Sequence, residues 1–143
     1  MSVVKIETGV KVYDIADERG VVRGTVSFNP SDINFPIRAE NFIKNVNELI
    51  EQAESIPEDL AEEEISKTIE DFDVKIKKEV NMLFDDDNAS SVVFGNQNCL
   101  NTSKGITFIE RFIEAFMPII KKEIAEETKK SSERVKKYVK QVK

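Results

Sequence analysis

Histidine is absent from this chain of 143 residues, and cysteine occurs once, at Cys99. Without histidine the commonest general base is missing, so Ser-His-Asp and Cys-His catalysis are both excluded. The usual structural zinc sites are excluded as well, because they draw four ligands mainly from those two residue types. A single cysteine forms no internal disulfide, and nothing in its usage points to an oxidising compartment. Cys99 therefore reads as a small, partly buried apolar side chain rather than a nucleophile. No apolar run approaches the roughly 18 residues of a membrane span. Met1 to Glu7 also lacks the basic start and apolar core of a signal peptide. A cytoplasmic protein without membrane association is expected. Neither G-x-x-x-x-G-K-[ST] nor G-x-G-x-x-G occurs, so nucleotide-binding loops have no support and no cofactor is expected.

With only 5 glycines and 4 prolines, against 40% apolar and 34% charged residues, the composition is that of a globular chain with a large exposed helical surface. The net charge of -6 hides an asymmetry. Residues 48–87 carry four basic against fifteen acidic side chains, whereas residues 121–143 carry nine basic against four acidic. The basic end invites the idea of nucleic acid, but the chain lacks the overall basic balance that accompanies such binding, and no nucleic-acid partner is expected.

The first thirty residues alternate β-branched residues with turn signals. They predict strands over Val3 to Ile6, Val10 to Ile15 and Val21 to Phe28. Asp17-Glu18-Arg19-Gly20 makes the turn between the last two. Val22, Val26 and Phe28 should form the buried face of the last strand. Asn34-Phe35-Pro36 then opens a helix to about Glu54, with Asn34 as cap, because Ala39, Phe42, Ile43, Val46, Leu49, Ile50 and Ala53 share one face. Ser55 should cap a second helix from about Pro57 to Phe84. Its stripe of Leu60, Ile65, Ile69, Phe72, Ile76, Val80 and Leu83 suits an antiparallel helical hairpin with the first. A third helix begins near Thr107, kinked or restarted at Pro118. The expected fold is α+β: an N-terminal β-hairpin or three-stranded meander, then a mainly helical body of helical hairpin plus kinked C-terminal helix. One domain is expected over 1–124, with a basic helical extension over 125–143.

Asp85-Asp86-Asp87-Asn88 has the oxygen ligands that hard cations prefer, but the spacing fails. Counted as an EF-hand loop from Asp85, position six is Ser90 rather than glycine and position twelve is Asn96 rather than glutamate. A magnesium-dependent enzyme using Asp71, Asp73 and Asp85 to Asp87 is thus a remote alternative, and the acids read as a solvated helix face and its end. In VVFGNQNCLNTSKG, residues 92–105, Phe94 reads as an anchor, while Gly95, Asn96 and Asn98 suit a turn before the last helix.

Two stretches carry a family resemblance. Gly24-Thr25-Val26-Ser27-Phe28-Asn29-Pro30-Ser31-Asp32-Ile33-Asn34-Phe35-Pro36-Ile37-Arg38 is one, followed by a helix with Phe42. Val93-Phe94-Gly95-Asn96-Gln97-Asn98, then Phe108 to Phe116 and a charged helix with Tyr138, is the other. Together they resemble small proteins encoded in the tail-morphogenesis region of phages and prophages of Gram-positive bacteria. The resemblance implies a non-enzymatic tail assembly protein, chaperone-like, that binds the tape-measure protein or tail subunits in the host cell and self-associates. A tail-completion or connector subunit that stays in the virion is the alternative. It also implies that Phe28, Asn29, Pro30, Asp32 and Arg38 build a strand-to-helix corner, with Asp32 and Arg38 capping or pairing. Phe94, Gly95, Asn96 and Asn98 would set the approach to the last helix. Phe108, Phe112, Phe116 and Tyr138 are the candidates for partner binding.

Overall fold

A computed structural model describes the backbone of residues 1–142 and the side chains of residues 1–130. The architecture is α+β, an N-terminal hairpin followed by a mainly helical body. Strands β1 (Lys11–Ala16) and β2 (Val22–Phe28) are antiparallel. Their turn is held by Asp17, whose Oδ1 accepts from the backbone N–H of Arg19 at 2.9 Å and of Val21 at 3.2 Å, with Gly20 at φ +82°. Val3 to Ile6 form no strand, so the sheet is a two-stranded hairpin and not a three-stranded meander. The Val22 expectation is also corrected. Ile15 lies opposite Gly24 and Ala16 opposite Val22, so Arg23 is the extra residue of a bulge and the alternation of faces breaks there. Val26 and Phe28 are buried, whereas Val22 is exposed.

Helix α1 (Phe35–Glu54) buries Phe35, Ala39, Phe42 and Val46 at helical spacing. Helix α2 (Glu62–Phe84) lies against it, with Asn45 Nδ2 donating to Glu79 Oε2 at 3.3 Å. Two expected caps are corrected. Asn34 makes no side-chain cap bond to α1, because its backbone is already helical and its own N–H is turned to Asp32. Ser55 closes α1 instead of opening α2, its hydroxyl donating to the Glu51 carbonyl at 2.9 Å. Helix α2 starts later than expected, where Glu62, Glu63 and Glu64 meet the positive end of the helix dipole. It ends at Asp85, left-handed at φ +50°, a conformation that aspartate tolerates better than most residues.

A short helix α3 (Ala89–Phe94) follows, then strands β3 (Thr102–Ser103) and β4 (Ile106–Thr107), and finally α4 (Phe108–Val142). The turn between β3 and β4 places both Lys104 and Gly105 at positive φ, as a tight hairpin with right-handed strand twist requires. Helix α4 continues through Pro118 without restarting, and the expected boundary at residue 124 falls inside it. Pro118 is exposed, so its ring faces away from the core. Among the described residues no helix is long and apolar enough to cross a membrane.

The core lies where the inner face of the hairpin, α1, α2 and the first turns of α4 converge. Phe116 is its hub: its ring meets Tyr13 at 5.7 Å, Phe28 at 5.9 Å, Phe84 at 5.2 Å and Phe112 at 5.5 Å between centroids. Each such ring, once buried, contributes about 1.5–3 kcal/mol by leaving water.

Candidate functional site

The strand-to-helix corner is assembled from all five expected residues. Phe28 ends β2 and stacks between Tyr13 and Phe35, at 5.7 and 5.0 Å. The Asn29 side chain accepts from the Ser31 N–H at 2.8 Å, and Pro30 is buried beneath the turn. Asp32 Oδ1 accepts from the Asn34 N–H at 2.9 Å, while Oδ2 accepts from Arg38 Nη2 at 3.1 Å. The Arg38 guanidinium sits over the Phe35 ring, 5.5 Å from its centroid, an arrangement in which a cation meets the negative face of an aromatic. Its Nε is buried without a hydrogen-bond partner among the described residues. Arg38 also lines a cleft of about 270 Å³ between α1 and α2, where Asn34, Asn41, Asn45 and Glu79 stand among Ile37, Phe42, Met82 and Leu83.

The junction before α4 is built around Cys99, which is fully buried. Its backbone N–H donates to Asp73 Oδ1 at 2.8 Å, and Asp73 Oδ2 pairs with Lys77 at 3.0 Å. The Cys99 carbonyl accepts from the Ile109 N–H at 2.9 Å, and the Asn101 carbonyl from the Phe108 N–H at 2.8 Å, which satisfies two donors at the start of α4. Burial, and after it the Asp73 carboxylate, push the Cys99 thiol well above its ordinary range. A buried, protonated thiol is a poor nucleophile. Phe94 is buried; Gly95 ends α3 at φ +61°, and a Cβ there would collide with Arg23 Nη2. Asn98 Oδ1 accepts from the Leu100 N–H at 2.8 Å, whereas Asn96 is exposed and outside this bonding.

The acidic residues of the metal reading do not converge. Among the described residues no three metal-ligating side chains cluster. Asp73 is committed to Cys99 and Lys77, and Asp86 Oδ1 accepts from the Asn88 N–H at 2.9 Å as part of a turn.

The partner-binding candidates separate. Phe112 and Phe116 are 7% and 4% exposed and belong to the core, which leaves them no surface for a partner. Phe108 is half-buried against that core. The Tyr138 side chain lies outside the described residues. What α4 does offer is a groove against α1, about 500 Å³ in volume. Ala39, Met117 and Ile120 form its buried floor, Ile43 and Ile124 its half-buried walls, and Glu40, Lys44 and Lys121 its charged rim. An open apolar channel between two helices, rimmed by charges of both signs, has the shape and chemistry that can accept the apolar stripe of a third.

The sequence places Ile43 on the apolar face of the first helix but has no means of pairing α1 with α4. The Asp73 to Cys99 bond has no local signal. Thr107 and Glu110 did carry one: Thr107 Oγ1 accepts from the Glu110 N–H at 3.2 Å and donates to its carboxylate at 2.7 Å, and a threonine three residues before a glutamate is the mark of a helix start. No protein-family model matches the chain, and neither does any curated protein or solved structure.

Proposed function

We propose that this chain is a non-enzymatic tail assembly protein of a Gram-positive phage or prophage. In the host cytoplasm it holds an apolar stripe of a helical partner, the tape-measure protein or a tail subunit, in the groove between α1 and α4. The observation that carries this reading is the groove itself, apolar at its floor and walls yet open to solvent at Ile43 and Ile124. Water leaving such a channel when a helix enters favours binding at about 25 cal/mol per Å² of apolar surface covered. The charged rim keeps the free protein dispersed, as a transient binder of apolar helices needs. The corner and the junction serve this purpose indirectly: Asp32 and Arg38 set the entry of α1, and Cys99, Asn101 and the Thr107–Glu110 pair set the entry of α4. The resemblance of the Gly24 to Arg38 and Val93 to Phe116 stretches to tail-region proteins supplies the identity of the partner.

The test is co-expression of the tagged chain with the tail genes that neighbour its own. Capture of the tape-measure protein, with the chain absent from mature particles, supports an assembly role. Fixed-copy presence in purified particles instead favours a virion component, and a genome neighbourhood without a tape-measure gene contradicts both.

A further inference from the structure

We propose that residues 3–7 of one copy add as a third strand to the open edge of β1 in a second copy. Strand β1 is bonded only to β2, so its other edge has no strand partner among the described residues. Helix α3 packs on the face of β2, with Val92 over Gly24. An unpaired edge is a template for another strand. The donor is at hand: Val3, Val4 and Ile6 are 80%, 84% and 80% exposed in a β-branched stretch that forms no element of its own.

Pairing within one chain is opposed by the contact that directs this stretch. Asn29 Nδ2 donates to the Thr8 carbonyl at 2.7 Å, which carries the chain past the end of the hairpin where Lys11 faces Phe28. Turning back along β1 would break that bond, whereas reaching a neighbour's edge keeps it. Charge sets the register. Placing Lys5 opposite Asp14 sets Val4 and Ile6 opposite Tyr13 and Ile15 whichever way the added strand runs, because side chains alternate with a period of two. The two apolar donors then continue the inner face of the hairpin, and the lysine meets the exposed carboxylate on its outer face. Reciprocal exchange closes a two-fold dimer. This inference is independent of the tail reading, and either can fail alone.

Sedimentation velocity of the full chain over a concentration series tests it. Wild type should self-associate below about 100 µM. Lys5→Asp and Asp14→Lys should each weaken association about tenfold, through like charges facing across strands, and the double swap should restore it. Ile6→Asp should leave a monomer. All these positions are exposed, so melting temperature and far-UV circular dichroism serve as the check that each variant remains folded. A monomeric wild type, association unchanged in Ile6→Asp, or a double swap no better than either single one would overturn the proposal.

Discussion

Cys99 and Asp73, 26 residues apart in the chain, meet through a hydrogen bond of 2.8 Å from the backbone N–H of the cysteine to the carboxylate. That bond ties the loop before α4 to the middle of α2. Asp73→Ala leaves a buried donor without an acceptor, so it should cost about 1–3 kcal/mol in urea unfolding at neutral pH. Lys77→Ala removes only the partly exposed ion pair and should cost about 0–1 kcal/mol. Equal effects of the two substitutions would show that the ion pair, not the buried bond, holds the loop.

The Cys99 thiol gives a pH dependence with a definite sign. Its ordinary value is 9.0, and burial raises it in the folded state. The unfolded chain therefore loses this proton first. The stability linked to the thiol is complete below pH 9.0 and declines as the pH climbs toward the raised folded value. The unfolding free energy should fall between about pH 9 and 10 by up to about 1.4 kcal/mol per pH unit, and Cys99→Ala should flatten that slope. The native thiol should resist labelling at pH 8 and react once denatured.

Gly24 is constrained twice, by φ +155° and by the side chain of Val92, whose methyls would stand 3.1 Å from an added Cβ. Gly24→Ala should destabilise by about 1 kcal/mol or more. Val92→Ala in the same background should recover part of the loss, a non-additivity measurable in a double-mutant cycle.

At the corner, Asp32→Ala should lower stability by about 0.5–2 kcal/mol, because it deprives the Asn34 N–H of its acceptor. Asp32→Asn keeps an oxygen there and should recover much of that loss. The coupling to Arg38 should be small, about 0–1 kcal/mol, since both side chains are roughly a third exposed. A coupling well above this range would mean that the buried Nε of Arg38 depends on the carboxylate.

What was legible in the sequence follows from how far each signal reaches along the chain. Helices α1, α2 and α4 announce themselves because Phe42, Val46, Ile76, Val80, Phe112 and Phe116 recur at a period that one element alone explains. Helix α3 was missed because six residues with two serines carry no such period; it exists because Ala89, Ser90 and Phe94 are buried and Asn81 Oδ1 accepts from the Ser90 N–H. Val3 to Ile6 have strand composition but no strand partner among the described residues, so composition over-predicts them. The groove was illegible for a different reason. Phe112 and Phe116 share the apolar face of α4 with Ile120 and Ile124, and only the packing of α1 across that helix decides which of them remain accessible.

The proposed occupant of the groove between α1 and α4 is a helical stripe of the tape-measure protein. Methyl NMR of the full chain, titrated with recombinant fragments of a tape-measure protein, tests this most directly. Shifts concentrated at Ile43, Ile120 and Ile124, abolished by Ile43→Asp in a variant that melts like wild type, are the predicted result. A titration that leaves these three methyls unmoved, or moves them equally in the variant, would contradict it.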